Sequence, residues 1–593
     1  MQLTADQGDI QVNKNVQAAK DIAMTTATGT ITVGDTVTST GGNVELKVGQ
    51  GDVTVGKSVQ ADNGSIDAQV GTGNIVMQNV TANDNVNMAV ENGNMRMNDV
   101  TSGKDANITN TGKGTINAAN ITSGGKATVS TVAGDIQVDK AVQASQDIAM
   151  TAKTGTIKVN DAITSTAGNV NLVVDKGDIQ AGNAVHAAQD IAMATATGAI
   201  KVGNTVTSAG GNVQLTADQG DIQVNKDVQA AKDIAMTTAT GTITVGDAVT
   251  STRGNVELKV GQGDVTVGKV VQADNGSIGV QVGTGNIVAA DVTAKVNANM
   301  TVQNGNIRMH DVTAGQDATV SSTVQGSINA HNITSEGITY VALNQGDLFL
   351  NLAEGKGVLL KMENNTAASK VNQVLAEASG IGTDVAMTGN FIQIGAMAVK
   401  GGDAVFELSA MGAGNQKLIS GNFSVESLSS ASGTHMPTLW SNRGYVHVDA
   451  GALLLDDVLA VDKIHLDNAQ TDIAIFGRTP TREGEQLTYW NNLSLADSKA
   501  RSYQLDTDGR VRTHSTVLFD GGMNLYKLYG DNLSVLDMMN ERETGRHGVF
   551  TFERRMFTEP GKRLQEQVIF DPKMWDFVGW QSNEEEDVVD KEK

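Results

Sequence analysis

The chain of 593 residues has no cysteine, almost no proline and, over its first 339 residues, no aromatic side chain. Without cysteine, disulfides and thiol chemistry are excluded. The four prolines all lie from Pro437 onward. Because proline cannot donate a backbone N–H group, its absence from the preceding sequence suits long runs of paired β-strands.

The lack of aromatics before Tyr340 excludes an ordinary globular core there, because such cores rely on large rings. What remains possible is a thin core of Val, Ile, Met and Ala that is repeated many times. The four tryptophans lie in the C-terminal part of the chain, at Trp440, Trp490, Trp575 and Trp580.

The charge is also one-sided. Lys and Arg number 43 against 66 Asp and Glu, which leaves a formal net charge of −23. This balance argues against nucleic acid or an anionic membrane as a partner. No stretch approaches the ~18 apolar residues of a membrane helix, and the first residues lack the basic and apolar regions of a signal peptide.

No phosphate loop, serine triad or zinc-ligand spacing appears, so we expect no cofactor and no metal site.

The sequence does contain a regular repeat, in which a glycine precedes an apolar strand every 20 to 22 residues. Each repeat has three short segments of alternating apolar residues, as in Ile10, Val16, and Ile22 with Met24. Period-2 alternation indicates strands, and three strands per repeat describe a three-sided coil. The glycines are Gly8, Gly29, Gly51, Gly73, Gly93, Gly114, Gly134, Gly155, Gly177, Gly198, Gly220, Gly241, Gly263, Gly285, Gly305, Gly326 and Gly346.

A longer duplication lies on top of this repeat. Residues 1–76 match residues 213–288 at 69 of 76 positions, an offset of 212 residues. Near-identity over such a length indicates duplication of a scaffold and not convergence on a binding site.

These patterns predict an all-β, right-handed parallel β-helix with about 21 residues per coil, followed by an aromatic-rich extension of mixed β-strands and short helices. We expect regular coils over residues 1–350 and an irregular continuation over 351–473, with a helix inserted near 366–379. Residues 474–583 are expected to be a capping or binding module that contains a β-meander over 502–529, and residues 584–593 a disordered acidic tail.

Charged residues are arranged to suit stacked coils. Asp9, Asp52, Asp135, Asp178, Asp221 and Asp264 follow the repeat glycines but never on adjacent coils, which avoids repulsion between like charges. Before the second apolar column, Lys14, Asp35 and Lys57 alternate in sign, which predicts a ladder of ion pairs along the coil stack.

Two constellations are candidate sites. His310 and His331 occupy the same column of adjacent coils, but no third ligand is evident, and their equivalents in the duplicate are Asn98 and Ala119. We therefore interpret the pair as structural.

Asp456 and Asp457 form a carboxylate pair that a β-helical polysaccharide-active enzyme of the pectate lyase or polygalacturonase type would need. The Gly-His-Gly and Arg-Ile-Lys segments that accompany such pairs in polygalacturonases are missing, so we expect no enzyme and keep this function as the alternative.

The repeats, as in GDIQVNKNVQAAKDIAMTTATGTITVGDTVTSTGGNVEL, resemble the shafts of filamentous haemagglutinin-type adhesins, including the large leukotoxin-like adhesins of Gram-negative bacteria. The resemblance covers residues 1–350 well and 351–473 weakly. It implies a fibre that is secreted or attached to the cell surface, exported by two-partner secretion through an outer-membrane transporter, and used to adhere to a surface receptor or glycan. Because Met1 falls inside a coil, where the duplicate has Val213, we expect the chain to be the C-terminal part of a larger product.

The aromatic-rich end is the part of the chain that differs from the repeats. Tryptophan, tyrosine and arginine dominate binding hot spots, so Trp440, Trp490, Trp575 and Trp580 are candidate binding residues. The same rings could instead cover the last coil and prevent edge-to-edge pairing. Capping and binding are compatible, and both interpretations stay open.

The repeat makes a prediction about deletion and point substitution. Replacing Ile157 by Asp should melt a coil locally, because a buried carboxylate has no partner in an aliphatic core and costs several kcal/mol. Deleting residues 177–219, a pair of coils, should be tolerated because the neighbouring coils re-stack in the same way. Denaturant unfolding compares the two variants, and a deletion more damaging than the point change would contradict the repeat.

Overall fold

The computed structural model describes residues 1–364 and 369–377 and, after these, the strands named below; side chains are described for residues 1–362 and 369–376. The chain divides into two compact units, Met1–Lys295 and Val296–Lys593. The first unit consists of parallel strands stacked as a β-solenoid, and the second contains further coils of this kind together with antiparallel strands. The solenoid has about 18 turns in all, and the described part of the chain contains no helix. No described helix could therefore span a membrane.

Each coil of the first unit contributes one strand to a long face, where most strands have seven residues. Side chains alternate between buried and partly exposed, as the pattern of Ile22, Met24 and Thr26 shows. The long-face strands are Gln2–Gln7, Ile22–Thr28, Val44–Gln50, Ile66–Thr72, Val86–Asn92, Ala106–Lys113, Ala127–Ala133, Ile148–Thr154, Val170–Lys176, Ile191–Thr197, Val213–Gln219, Ile234–Thr240, Val256–Gln262 and Ile278–Thr284.

Two short faces complete each coil. The first short face contains Ile10–Val12, Ile31–Val33, Met95–Arg96, Ile116–Ala118, Ile136–Val138, Ile157–Val159, Ile179–Ala181, Ile200–Val202, Ile222–Val224 and Ile243–Val245. The second contains Val16–Ala18, Val37–Ser39, Asp99–Ser102, Asn120–Ser123, Val142–Ala144, Ile163–Ser165, Val185–Ala187, Val206–Ser208, Val228–Ala230 and Val249–Ser251. Four longer strands run across both short faces: Val53–Ala61, Ile75–Ala82, Val265–Ala273 and Ile287–Ala294.

The second unit also has a long face and two short faces, and its coils are less regular. Its long face contains Ala298–Asn304, Ala318–Gln325, Ile338–Gln345, Gly357–Asn364, Val385–Gly389, Ala404–Ala410, Val446–Asp449, Ile464–Asp467 and Asn492–Leu495, the last paired with Tyr503–Gln504. Its short faces contain Ile307–Arg308, Asp311–Ala314, Ile328–Ser335, Leu348–Gly355, Lys370–Glu377, Phe391–Lys400, Asn422–Val425, Thr438–Ser441, Leu453–Leu455, Asp457–Ala460 and Ile473–Ile475.

The predicted parallel solenoid is confirmed in its columns as well as in its strands. Ile10 pairs with Ile31, and Ile31 pairs with Val53, on successive coils. Ile31 and Val53 are completely buried. Since a fully buried Val or Ile contributes about 1.5–3 kcal/mol, stacking like on like gives a thin core its stability without aromatic rings.

The repeat glycines mark a corner where successive coils approach closely. All seventeen predicted glycines have positive φ, between 106° and 150°. At Gly155, with φ of 130°, an added Cβ atom would lie only 2.1 Å from the carbonyl oxygen of Gly134 on the preceding coil. The corner therefore requires glycine for two reasons, its backbone conformation and the space it leaves for the neighbouring backbone.

The helix predicted near 366–379 is wrong. Lys370–Glu377 is a strand that pairs in parallel with Leu348–Gly355 on the preceding coil. Val371 and Val374 are both completely buried, and their spacing of three residues arises where the coil turns from one short face to the other. Buried Leu350 and Ala353 have the same spacing and are their partners. A corner between two strands thus imitates one turn of a helical pattern.

The C-terminal region contains a four-stranded antiparallel sheet of Ser515–Phe519, Gly548–Arg554, Trp575–Ser582 and Val588–Asp590. The first strand lies in the predicted meander but pairs with Gly548–Arg554, and the remainder of the meander is outside the described residues except for Tyr503–Gln504. Val588–Asp590 is an edge strand within the tail expected to be disordered.

The glycine corner makes a second prediction. Gly155→Ala should destabilise the protein by about 1–3 kcal/mol, because alanine is strained at this φ and its methyl group would collide with the Gly134 carbonyl group. Gly279→Ala is the matched control, since an added Cβ atom there meets nothing within 4 Å. Denaturation midpoints measure the difference, and equal effects of both substitutions would contradict the close approach.

Candidate functional site

The carboxylates that follow the repeat glycines serve the stacking of coils. The backbone N–H of Thr30 donates to Oδ1 of Asp9 at 2.8 Å, and Thr156 donates to Asp135 at the same distance. Asp52, Asp178, Asp221 and Asp264 accept in the same way from the next coil. At these corners the side chain supplies an acceptor for the backbone N–H group. Sequence analysis predicted the spacing of these charges but missed this role.

A second polar column lies at the start of the long face. Asn43 N–H donates to Asp21 at 2.8 Å, and Ser65 N–H donates to Asn43 at 2.8 Å. Farther along the chain, Asn169 N–H donates to Oδ1 of Asp147 at 3.0 Å. The hydrogen bond from Asn169, followed by that from Lys126, holds the pKa of the Asp147 carboxyl group below its usual value.

The predicted ladder of alternating charges is present at several positions. Lys57 lies 2.7 Å from Asp35, and Asp247 is flanked by Lys269 at 3.0 Å and Lys226 at 3.5 Å. The hydrogen bond from Lys269 is the largest influence that lowers the pKa of Asp247. Because these pairs are exposed, each contributes little to stability, and their main effect is to favour one register of the coils.

Buried hydroxyl groups close individual coils on themselves. Thr195 Oγ1, which is buried, donates to the carbonyl oxygen of Gly177 at 2.8 Å, and Thr238 donates to Gly220 at 2.9 Å. In each case the threonine ends the coil that the glycine begins. These hydroxyl groups are hydrogen-bonded within the core and do not face a ligand.

A different arrangement occurs at His310, Asp311 and His331 in the second unit. The two imidazole rings are stacked, with centroids 4.8 Å apart and planes inclined by 8°. Nδ1 of His310 lies 3.2 Å from Oδ2 of Asp311, and Nδ1 of His331 lies 3.2 Å from Oδ1. This is the one group of three or more potential metal ligands within the described residues. The third ligand that sequence analysis did not find is the residue next to His310.

The backbone at this cluster turns the corner between the two short faces. The N–H groups of His331 and Asn332 both donate to the carbonyl oxygen of His310, at 2.8 and 3.1 Å. The strands on both sides of this corner pair with the next coil at the same offset of 21 residues, so no residue is inserted. The side chains are accessible, with 62% of His310, 51% of His331 and 38% of Asp311 exposed to solvent.

The other candidate residues are dispersed. Trp440 lies on the short-face strand Thr438–Ser441, whereas Trp575 and Trp580 share a strand of the antiparallel sheet. Asp457 begins the strand Asp457–Ala460. Trp490 and Asp456 lie outside the described residues. The structure therefore places three of the four tryptophans on two different sheets.

A shallow groove of about 300 Å³ crosses the first short face of the first unit. Lys158 and Lys201 line it together with the amides of Gln180, Gln223 and Asn225. None of the described residues that line the groove has a carboxylate. It thus lacks the acid–base pair that glycosidic-bond hydrolysis uses.

Comparison with known proteins provides no assignment, since no family model, curated protein or solved structure matches the chain.

The polar columns predict an acid sensitivity at Asp147. Its folded-state pKa is lowered, so its stabilising contribution is present above the unfolded-state pKa of about 3.9 and is lost as the pH falls through the folded-state value. Asp147→Asn keeps an acceptor for the Asn169 N–H group. This variant should therefore lose less stability than wild type at acid pH.

Asp147→Ala should cost about 1 kcal/mol near neutral pH, because the Asn169 N–H group loses its acceptor. Denaturation midpoints at about pH 3 and pH 7 test both variants. The interpretation would be wrong if Asp147→Ala and wild type had the same midpoint at neutral pH.

Proposed function

We propose that this chain is a non-catalytic segment of a filamentous adhesin. In this proposal the repeated solenoid is a stiff spacer, and residues 351–593 contain the cap and the contact surface. The observation that carries the proposal is the use of the corner carboxylates for coil-to-coil hydrogen bonds, of which Asp9 and Thr30 are an example. Side chains committed to stacking suit a scaffold better than an active site.

The duplication supports a spacer function. Residues 1–76 and 213–288 are nearly identical and so offer the same polar surface twice. A spacer needs a surface that is soluble and a backbone that is stiff. Continuous ladders such as those linking Ile148–Thr154 to Val170–Lys176 resist bending, because each coil hydrogen-bonds along its length to the next.

The place of action and the partners in this proposal come from the resemblance of the repeats to haemagglutinin-type shafts. The chain would work outside the cell or on its outer surface, after export through a partner outer-membrane transporter. Its target would be a receptor or glycan on a host or bacterial surface. The acidic net charge of −23 is compatible with this role and unfavourable for nucleic-acid binding.

The contact surface is assigned to the aromatic-rich end by composition. Trp440, Trp490, Trp575 and Trp580 belong to it, as does the pair Arg554–Arg555. Tryptophan and arginine are over-represented among residues that dominate binding energy. The groove on the first unit gives no support to the enzyme alternative, because none of its lining residues has a carboxylate.

Adhesion assays on cells and glycan surfaces test whether the solenoid is a spacer and residues 351–593 contain the contact surface. Residues 351–593 should keep any adhesive activity, residues 1–350 should show none, and the full chain without residues 177–219 should adhere like wild type. Adhesion of the 1–350 fragment at the level of the whole chain would count decisively against the proposal. Release of reducing sugar from pectic or uronic polysaccharides would favour the enzyme alternative instead.

A further inference from the structure

The cluster of His310, Asp311 and His331 has no part in the proposed spacer function. Unlike the carboxylates that follow the repeat glycines, it brings two imidazoles and a carboxylate together at an accessible corner between the short faces. In the duplicate coils the same positions hold Asn98, Asp99 and Ala119. The aspartate is therefore present in both copies, and the two histidines distinguish one copy from the other.

The spacing of the ligand atoms suits a small divalent ion. Zinc bonds to imidazole nitrogen and carboxylate oxygen are about 2.0–2.2 Å long, which places neighbouring ligand atoms of a tetrahedron about 3.3–3.6 Å apart. Each Nδ1 atom already lies 3.2 Å from an oxygen of Asp311. One ligand atom from each residue can be chosen so that all three lie within 4.8 Å of one another. Three-ligand geometry requires the two stacked rings to rotate about their side-chain torsions, so that the nitrogen ligand atoms approach by about an ångström and both lone pairs point at one ion.

The donor set selects the class of ion. Two imidazoles with one carboxylate suit zinc and the neighbouring first-row transition ions, whereas calcium and magnesium prefer oxygen ligands alone. The remaining coordination positions face solvent and are available to water. No entry path has to open, because both rings are more than half exposed.

The surroundings hold the ligands in position. Asn332 Nδ2 donates to Oδ1 of Asp311 at 2.8 Å, and the bend that carries His310 is tied to the strand that carries His331 through the His310 carbonyl oxygen. Hydrogen bonds to a ligating carboxylate orient it, and loss of such support typically weakens metal binding about 10–100-fold. Rigid parallel strands thus fix the backbone while the ring torsions stay free to adjust.

We propose that His310, Asp311 and His331 form a binding site for a divalent transition ion of the zinc class. The site lies wholly within the second unit and is independent of the adhesin proposal. Both imidazoles and one carboxylate oxygen bind the ion, and Asn332 positions the carboxylate.

The duplication supplies a variant that removes the site without disturbing the fold. His310→Asn with His331→Ala restores the residues of Asn98 and Ala119. That backbone already accommodates them, since Ala119 and Asn120 N–H groups both donate to the Asn98 carbonyl oxygen, at 2.7 and 3.0 Å. Titration calorimetry of the full chain with Zn²⁺ alone should show one equivalent fewer in this variant, or binding at least about 10-fold weaker.

The reverse change tests sufficiency. Asn98→His with Ala119→His places two histidines beside Asp99 at a corner with the matching hydrogen bonds. This variant should gain one equivalent of Zn²⁺ relative to wild type. Differences between variants are the readout, because other histidines, such as His447 and His465 on paired strands, can contribute a constant background.

Cobalt substitution reports the ligand set. Co²⁺ bound by imidazole and carboxylate should give visible absorption bands in wild type that disappear in the His310→Asn, His331→Ala variant. Identical Zn²⁺ stoichiometry and affinity in wild type and this variant would overturn the proposal. So would displacement of Zn²⁺ by an equal concentration of Ca²⁺, since an imidazole-containing site must discriminate against calcium.

Discussion

Close contact between successive coils at the glycine corner is the constraint on which the rest of the solenoid depends. The carbonyl oxygen of one repeat glycine occupies the place where the next would carry its Cβ atom, as Gly134 and Gly155 illustrate. In the regular coils, every coil returns to glycine at this corner with positive φ, because a larger residue would be strained and would collide with the preceding coil. These corners recur every 20–22 residues, so that the apolar and polar columns stay aligned from coil to coil.

Alignment of the columns explains how so acidic a chain can place equivalent positions of successive coils directly over one another. In the first unit, each Asp after a repeat glycine accepts an N–H group from the next coil, which carries Thr, Asn or Ala at that position, as in the pair Asp178 and Ala199. The carboxylate gains a hydrogen bond without a like charge directly beside it. Most acidic groups of the repeats therefore have a structural role, and their number does not indicate a cation-binding surface.

Duplication separates what the scaffold needs from what can change. Asp99 and Asp311 occupy equivalent positions, and both copies have the same corner, in which two N–H groups share one carbonyl oxygen. Around this carbonyl oxygen, Asn98 and Ala119 of one copy are replaced by His310 and His331 in the other. A solenoid tolerates such changes because an outward-facing residue contacts little beyond its own column, so new chemistry can arise on one coil while the core stays the same.

The sequence by itself determined the fold class, the length of the coil and the residues of the core. Period-2 alternation and the recurrent glycines are local signals. Because every coil repeats them, the sequence as a whole fits only a parallel solenoid. The helix predicted near 366–379 was wrong because apolar residues three apart, such as Val371 and Val374, fit both a helix and a coil corner. Only the pairing of these residues with Leu350 and Ala353 on the preceding coil shows that they lie at a corner. Likewise, the column of His310 and His331 was visible in the sequence. The position of Asp311, with one carboxylate oxygen near each Nδ1 atom, was decided by the stacking of the coils, which brings His331 beside the residue that follows His310.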